Sequence, residues 1–390
     1  MDPSSAILTS PPSDMDKSMY GVRYVSGPSE MKAFLQFPYE HYASDQNWIA
    51  PLYIQQRDLL DASKNPYFAD VEHACFLAEK NDQVCGRIAV FINRSWNAYQ
   101  KQQTGFFGFF ECRNDAYATK LLVEVATDWL QERGMNKMIG PINPGFMYEL
   151  GLLVDGHETE PYIMMPWTKK YYDGLLKQAG LEKEIDLFAY VVDEKNVALD
   201  RINRAEQIVR KRMPDLQIRP VRLSDFDSEI RIIRDIFNQA WKDNWGFSPV
   251  GEEEFRHIAK DLKLILDKDI AHIAEIKGKA VGFSVALPDM NQAFRHLRNG
   301  RLLPFGIFKL LWHKRKINRI RTALMGVIPE YRGKGIDALL HREAIVKGLA
   351  KGYNASELSW LLETNTDMIR VAEKIGGWRE KTYRIYRRNI

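Results

Sequence analysis

The sequence predicts a protein of the α/β class that contains two copies of one fold. At 390 residues the chain is too long for one ordinary hydrophobic core and fits two domains of roughly 150 to 200 residues each. In each half the pattern predicts a hairpin, a strand, a helix and another strand in the same order. Landmarks in the two halves share one offset of 196 residues, as Glu79 with Glu275, Gly86 with Gly282, Gly180 with Gly376 and Tyr190 with Tyr386.

The elements of the first copy follow from periodicity and turn chemistry. Residues 74–93 alternate apolar and polar side chains around an Asn-Asp turn, which predicts a β-hairpin, and a strand over 106–112 follows. Asp115 can cap a helix that ends at Gly134, because its side chain can accept the first free N–H groups. The next strand is predicted at 137–140.

The second copy repeats this order. A Lys-Gly-Lys turn predicts a hairpin over 271–287, and the apolar stripe from Ile336 onward predicts a helix ending near Gly352. The remaining strands are predicted at 323–328, 356–364 and 382–387, with a helix over 368–375. We therefore divide the chain into a disordered tail (1–18), a first copy (19–192), a polar linker helix (193–213) and a second copy (214–390) that carries an insertion at 291–322.

Composition excludes several classes. The net charge of +4 is too small for a polycation, so no nucleic-acid partner is expected. The spacing of Cys75, Cys85 and Cys112 matches neither a metal site nor a disulfide framework. The N-terminus lacks the pattern of a signal peptide, and no apolar run approaches the ~20 residues of a membrane-spanning helix. We therefore expect a cytoplasmic protein without a metal ion. Such a protein could also contact the inner surface of the membrane.

The most informative segment is residues 323–337, an apolar strand followed by a glycine-rich basic turn at the start of a helix. We call its turn, residues 329–337, the cradle. Gly333 and Gly335 allow backbone conformations that leave N–H groups unpaired, and these groups together with the helix start attract anions. Arg332 and Lys334 add full positive charges, so the cradle suits a diphosphate.

The order of strand, cradle, helix, strand and helix, with Asn365 and Gly376-Gly377-Trp378 further on, resembles the GCN5-related N-acetyltransferase (GNAT) superfamily. The resemblance covers 214–390 and, through the internal repeat, extends more weakly to the first copy. It implies two tandem GNAT-like domains, each a mixed, largely antiparallel twisted sheet flanked by helices. It also implies direct acyl transfer from acetyl-CoA or a longer acyl-CoA to an amine. The residues it assigns to acyl-CoA are Val327, Ile328, Arg332, Gly333, Lys334, Gly335, Ile336 and Asn365.

The chain departs from the family pattern at three places. Asp337 stands where the family has glycine or alanine, and its carboxylate would repel a phosphate unless it turns away. Ala372 stands where many relatives carry a tyrosine as general acid. The turn at 113–117 of the first copy has no glycine, so only the second copy is expected to bind coenzyme A.

The chemistry needs a base for the amine, an acid for the thiolate and a donor for the oxyanion. We expect the oxyanion donor to be a backbone N–H near Val327 or Ile328. Glu363, on the same predicted strand face as Asn365, is the expected base, although a structural ion pair is an equal alternative. Tyr383 and Tyr386 could replace the missing acid, although packed aromatic residues are more common.

Three further features could contribute to the site or to the binding of the acceptor. Glu149 and His157 lie in a turn-rich segment of the first copy and could reach the amine, with a solvated loop as the alternative. His341 reads as a solvated helix histidine. The segment 295–321 holds nine lysines and arginines and no acid, interleaved with apolar residues. It could dock on an anionic membrane or cover the sheet as a helical hairpin, and Phe305, Phe308 and Trp312 could line an acyl tunnel.

These observations favour an N-acyltransferase that acts on a small-molecule or lipid amine. The basic-apolar insertion suggests a narrower resemblance to bacterial ceramide-synthase-like acyltransferases, which would move a long acyl chain to a lipid or sphingoid amine. The alternative of another class is a protein that binds acyl-CoA without turnover, because Asp337 and Ala372 weaken the expected machinery.

Overall fold

The computed structural model describes residue 17 and residues 19–390; apart from residue 17, the predicted tail at 1–18 lies outside the described residues. The strands of the first copy are β1 (Tyr20–Tyr24), β2 (Val71–Lys80), β3 (Gln83–Asn93), β4 (Thr104–Cys112), β5 (Lys137–Gly140), β6 (Ile142–Asn143), β7 (Glu149–Leu150), β8 (Leu152–Asp155) and β9 (Glu182–Asp193). Its helices are α1 (Pro28–His41), α2 (Tyr53–Leu59), α3 (Arg94–Gln100), α4 (Ala116–Gln131) and α5 (Tyr172–Gln178), with a 3₁₀ turn at Pro66–Ala69.

The connecting segment contains one helix, α6 (Leu199–Arg212), within the predicted linker. The second copy has strands β10 (Leu216–Pro220), β11 (Ala271–Ile276), β12 (Lys279–Pro288), β13 (Arg319–Val327), β14 (Ala355–Leu362) and β15 (Trp378–Asn389). Its helices are α7 (Phe226–Ala240), α8 (Glu252–Lys263), α9 (Asn291–Phe294), α10 (Gly306–Lys314), α11 (Ile336–Ala350) and α12 (Thr366–Lys374), with 3₁₀ turns at Leu223–Asp225, Lys268–Ile270 and Pro329–Tyr331.

The internal repeat is visible in the hairpins. The β2–β3 ladder changes register between Ala78 and Glu79, and the β11–β12 ladder does so between Ala274 and Glu275, which is the equivalent position. In both copies an arginine on the preceding edge strand pairs with the glutamate at this irregularity: Arg23 Nε lies 2.7 Å from Glu79, and Arg219 Nε lies 2.8 Å from Glu275. The offset of 196 residues in the sequence therefore corresponds to the same backbone geometry in the two copies.

The described residues form one thirteen-stranded sheet and a separate β6–β7 pair. The sheet order is β1-β2-β3-β4-β5-β15-β9-β14-β13-β12-β11-β10, and β8 also pairs with β15. Within the described chain the β4–β5 and β13–β14 pairs are parallel and the other pairs are antiparallel. This confirms the predicted mixed, largely antiparallel sheets.

The two copies exchange their last strands. β15, the last strand of the chain, lies between β5 and β9 and so completes the sheet of the first copy. β9, the last strand of the first copy, pairs with β14 of the second copy over Leu187–Asp193. Each copy thus supplies an inner strand of the joint sheet, which fixes the two halves side by side.

The equivalent helices α4 and α11 begin differently in the two copies. The Asp115 carboxylate caps α4 by accepting the N–H groups of Tyr117 and Ala118 at 3.1 and 3.0 Å, as the sequence predicts. Helix α11 begins at Gly335, which has no side chain to cap it. The first N–H groups of the helix therefore have a side-chain cap in the first copy and none in the second.

None of the helices in the described part of the chain combines the length and apolar character needed to cross a lipid bilayer. The described residues also contain no cluster of three or more histidine, cysteine, aspartate or glutamate side chains able to hold a metal ion.

Candidate active site

The cradle has the backbone that its glycines predict. β13 ends at Val327, a 3₁₀ turn follows at Pro329–Tyr331, and Gly333 and Gly335 adopt φ angles of +69° and +84°. These left-handed conformations turn the chain sharply into α11, whose first N–H groups point out of the turn. The cradle thus has a backbone geometry that can receive an anion.

The two cations of the cradle differ in availability. The Arg332 guanidinium donates to the carbonyl oxygens of Val327, at 3.3 Å, and Ala240. The Lys334 ammonium lies 4.8 Å from the ring centroid of Tyr331 and is exposed. Lys334 can therefore meet a diphosphate directly, whereas Arg332 supports the strand end and would have to exchange partners.

Beside the cradle, β13 and β14 separate. Their parallel pairing ends at Thr322 and Leu358, so the rest of β13 has no strand partner on that side within the described part of the chain. The Ile328 N–H donates to the Val281 carbonyl at 3.0 Å, so the alternative of Ile328 as oxyanion donor is wrong. N–H groups alternate in direction along an antiparallel pair, so that of Val327 points towards the gap.

A cavity of about 680 Å³ lies where β13 and β14 separate. It extends from the cradle along the separated strands to a loop at 241–250 and to first-copy residues that include Tyr67, Phe146 and Met147. Its size falls within the roughly 300–1,000 Å³ of ligand sites. The cavity thus joins the expected thioester position to a largely apolar chamber between the two copies.

The cavity brings together only part of the predicted site. Val327, Arg332, Gly333 and Asn365 line it. The Asn365 Oδ1 atom caps α12 by accepting the Met368 N–H at 3.2 Å, which leaves its NH₂ group free to donate. Ala372 also lines the cavity, so the position of the family's tyrosine carries no hydroxyl.

The structure places Glu363 outside this cavity. Strand β14 ends at Leu362, so the expectation that Glu363 and Asn365 share a strand face is wrong. The Glu363 carboxylate accepts the Lys183 ammonium at 2.7 Å and the Asp186 N–H at 3.1 Å. Glu363 therefore has the geometry of the alternative interpretation, in which it forms an ion pair between the two copies.

The two tyrosines of the last strand lie in the core. Tyr386 donates to Asp173 Oδ1 at 2.6 Å and packs within the first copy, so the hypothesis of an acid at this position is not supported. Tyr383 is fully buried, and its hydroxyl has no hydrogen-bond partner among the described residues. Burial raises its pKa well above the ordinary value. Neither residue lines the cavity, because strand exchange carries β15 into the sheet of the first copy.

Glu149 and His157 also lie away from the cavity lining. Glu149 sits in the small β6–β7 pair opposite Asn143, and burial raises its pKa. The backbone carbonyl of His157 accepts from Trp167 Nε1 at 3.1 Å, and burial lowers the pKa of the imidazole. The structure therefore places neither residue on the lining of this cavity.

Three cavity residues were missed or misread from the sequence. His341 is buried and its Nε2 atom has no hydrogen-bond partner among the described residues, so the expectation of a solvated histidine is wrong. Burial lowers the pKa of His341, and Asp337, one turn earlier, opposes this shift. Trp241 holds the cavity wall by donating to the Met325 carbonyl at 3.0 Å. Glu254 lines the cavity from α8. The sequence contains a signal that Asp337 and His341 are neighbours, because their i, i+4 spacing places them on one face of a helix.

Comparison with known proteins agrees with this geometry. The family model described as Acetyltransferase (GNAT) family matches residues 230–377. A protein named bacterial ceramide synthase from Caulobacter vibrioides (strain NA1000 / CB15N) is 35% identical over 388 residues, covering 97% of this chain and 100% of its own. Protein YghO from Escherichia coli (strain K12) is 37% identical over 377 residues, covering 95% of each chain.

Solved structures show the same fold. A tandem GNAT protein from the clavulanic acid biosynthesis pathway superposes with a TM-score of 0.57 at 9% identity, covering 95% of this chain and 98% of its own. A GCN5-related N-acetyltransferase from Sphaerobacter thermophilus gives a TM-score of 0.52 at 12% identity, covering 95% and 96%. Because full-length relatives share more than a third of their residues with it and its second copy matches the family model, the chain belongs to the GNAT family and is an acyltransferase.

Proposed function

We propose that the protein transfers an acyl group from acyl-CoA to a primary amine by direct attack of the amine on the thioester. The observation that carries this proposal is the continuity between the open cradle, the separated strands β13 and β14, and the cavity. A diphosphate, a thioester and an acceptor would then have adjoining places in one cavity.

The residues around the cavity fit acyl-CoA as a co-substrate. The open N–H groups at the start of α11, with Lys334, would hold the pyrophosphate. The NH₂ group of Asn365 would donate to a pantetheine carbonyl, and the Val327 N–H would donate to the oxyanion. Coenzyme A supplies a thiolate leaving group, and Ala372 offers it no proton, so the thiolate leaves unassisted or takes a proton by another route.

A long acyl chain and a lipid or sphingoid amine are the substrates we favour. The chamber between the copies has apolar walls that include Phe146, Met147 and Trp245, and these suit hydrocarbon better than a polar acceptor. The relative named bacterial ceramide synthase supports this choice. The insertion residues Phe305, Phe308 and Trp312 do not line the cavity, so the alternative in which they line an acyl tunnel is wrong.

These insertion residues instead form an exposed apolar surface. Leu303, Phe305, Phe308 and Trp312 are 78%, 72%, 68% and 64% exposed, and helix α10 buries none of its residues. A helical hairpin that covers the sheet would bury them. Large apolar side chains grouped in solvent mark an interaction surface, and we propose that the cytoplasmic face of a membrane covers this one.

The charge of the segment favours anionic lipid as the partner. Of its nine lysines and arginines, Arg295, Arg319 and Arg321 form ion pairs with acidic side chains. The others form no ion pair with any described residue, and among them Lys309 and Lys316 lie beside the apolar side chains on and after α10. Cations beside a negatively charged membrane contribute about 1 kcal/mol each, and the apolar side chains add insertion.

Ligand binding and turnover test the enzymatic proposal. Acetyl-CoA and palmitoyl-CoA are titrated in a thermal-shift assay, and thiol release is then followed with a sphingoid base and with polar amines. We expect palmitoyl-CoA to stabilise the natural protein. The Gly335→Glu variant should lose this stabilisation, and the Gly352→Glu variant, changed at the far end of the same helix, should keep it. No response of the natural protein to either thioester would overturn the proposal, and turnover of polar amines alone would overturn the lipid version.

Vesicle sedimentation tests the membrane surface. We expect binding to phosphatidylcholine vesicles with one quarter phosphatidylglycerol, weakened at least tenfold in Phe305→Ser/Phe308→Ser/Trp312→Ser. The control Tyr24→Ser/Tyr99→Ser/Ile208→Ser removes exposed apolar side chains elsewhere and should bind as the natural protein does. Equal binding of the natural protein and the insertion variant would contradict the assignment.

A further inference from the structure

Glu254 is distinctive among the acidic residues at the start of α8. Glu252, Glu253 and Glu254 occupy its first turn, where acidic side chains complement the helix dipole. Glu252 pairs with Arg234 at 3.1 Å and Glu253 is exposed. Glu254 instead points inward and lines the cavity, so a role at the helix end alone does not account for it.

The surroundings of Glu254 leave its carboxylate without a partner. No hydrogen bond or ion pair joins it to any described residue. The titratable groups that face it are Tyr67 and Tyr148 of the first copy, while Asp261 lies further along α8. The two tyrosine hydroxyls donate elsewhere, to the Pro144 carbonyl and to Asn65 Oδ1. A carboxyl group thus faces the cavity, and no cation among the described residues pairs with it.

The other carboxylates around the cavity occupy different places. Asp243 and Asp367 are exposed at its rim, and Asp337 stands at the cradle, where the diphosphate is expected. The two cavity arginines are already engaged: Arg321 with Ser359, at 2.8 Å, and Arg332 with backbone carbonyls. Glu254 is therefore the one carboxylate, among the described residues, that lines the interior of the chamber.

Burial has a chemical consequence for this group. The apolar surroundings raise the pKa of Glu254 to about 7, because the charged form loses hydration there. A carboxylate with this pKa is ionised in a large part of the molecules near neutral pH and takes up a proton readily, as a general base requires.

We propose that Glu254 receives the ammonium group of the acceptor and takes its proton, so that the free amine can attack the thioester. This inference rests on the proposed acyltransferase function and names the base that Glu363 does not provide. The acceptor would be a primary amine on an apolar molecule, because the cation meets Glu254 and the rest of the molecule meets apolar walls.

The step balances as follows. The ammonium gives one proton to the Glu254 carboxylate, and the nitrogen lone pair forms the new C–N bond. The C–S bond breaks and its electron pair leaves on sulfur, while the nitrogen loses its second proton, which neutralises the thiolate. Glu254 releases its proton to solvent, so the products are an amide, a thiol and one proton.

The experiment compares Glu254→Gln with Glu254→Asp and with the exposed neighbour Glu253→Gln, which makes the same chemical change one residue away. Acyl-CoA binding is measured by thermal shift, and kcat and KM are measured with a sphingoid base from pH 5.5 to 9. We expect Glu254→Gln to bind palmitoyl-CoA normally but to lose at least 100-fold in kcat/KM. The natural enzyme should lose activity as the pH falls below about 7. This loss should be absent from the pH profile of Glu254→Gln. Glu254→Asp should recover part of the rate, and Glu253→Gln should match the natural enzyme.

The outcomes separate this inference from the function on which it rests. A natural enzyme that acylates the amine while Glu254→Gln retains both its rate and its pH profile overturns the role of Glu254 alone. A natural protein that binds acyl-CoA but acylates no amine overturns the proposed function and the inference together. A Glu254→Gln variant that no longer binds acyl-CoA shows a structural role and also overturns the inference.

Discussion

Gly335 of the cradle contacts Val209 of the connecting helix so closely that a Cβ atom on Gly335 would lie 2.5 Å from Val209 Cγ2. Gly335 also has a φ of +84°, which L-residues with side chains rarely adopt. Two independent constraints therefore keep this position a glycine. One is local to the cradle, and the other comes from the helix that joins the two copies.

Gly335→Ala should destabilise the protein and weaken acyl-CoA binding. The left-handed conformation and the overpacking against Val209 together cost about 2–4 kcal/mol. Gly352→Ala is the matched control, because Gly352 has a φ of +86° but open space around it, and it should cost only about 1–2 kcal/mol. Adding Val209→Ala should relieve part of the Gly335→Ala defect. Denaturant unfolding and acyl-CoA titration measure both effects, and equal losses in the two alanine variants would contradict the contact.

Asp337→Gly should tighten acyl-CoA binding. The Asp337 carboxylate lies in the first turn of α11 and lines the cavity beside the cradle, so its removal relieves repulsion of a diphosphate. We expect a gain of about three- to tenfold at low salt that shrinks at high salt. Asp200→Gly, at the equivalent position of α6 and away from the cavity lining, is the control and should leave binding unchanged. Titration calorimetry with coenzyme A measures the change, and unchanged or weaker binding would show that Asp337 turns away or assists the ligand.

Glu254→Gln should make the protein more stable at pH 8 but not at pH 4. The pKa of Glu254 is raised from the ordinary 4.5 to about 7, so the folded state binds the proton more tightly than the unfolded state. Natural stability therefore falls as pH rises from 4.5 to 7, by up to about 3 kcal/mol, and glutamine avoids this loss. Unfolding curves at the two pH values, with Glu253→Gln alongside, measure it. The same difference at both values would refute the assigned pKa.

Glu363→Gln should leave kcat within about twofold of the natural value. Its carboxylate pairs with Lys183 and accepts the Asp186 N–H, both in the first copy. The two side chains are 29% and 39% exposed, and such pairs contribute about 0–1 kcal/mol. Activity and unfolding measurements on Glu363→Gln and Lys183→Gln should therefore show small, similar losses of stability. A large fall in kcat confined to Glu363→Gln would restore Glu363 as a base.

Local geometry was predictable from the sequence. Asn81 and Asp82 adopt positive φ angles in the predicted hairpin turn, as do Lys277 and Gly278 in the equivalent turn. The glycines of the cradle behave as their residue type requires, and Asp115 caps the helix it was expected to cap. In each case the cause is the conformational freedom or hydrogen-bonding capacity of a few neighbouring residues.

The site was predictable only where it depends on such neighbours. The cradle and Asn365 were found, but Glu363, Tyr383 and Tyr386 were misassigned because their partners lie far away in the sequence. Strand exchange brings Lys183 to Glu363 and encloses Tyr383 in the shared core. Periodicity does not record which strand lies beside another, since β pairing depends on long-range contacts.

The sequence by itself therefore determined the repeat, the elements, the cradle and the membership of its second copy in an acyltransferase fold, because glycine, proline and periodic apolar residues act over a few positions. Only the tertiary structure decided which copy completes which sheet, that Glu254 and His341 face the cavity, and that Phe305, Phe308 and Trp312 remain in solvent. Burial and the choice of partners are properties of the whole packed chain, and they separate a structural carboxylate from one that is left free for chemistry.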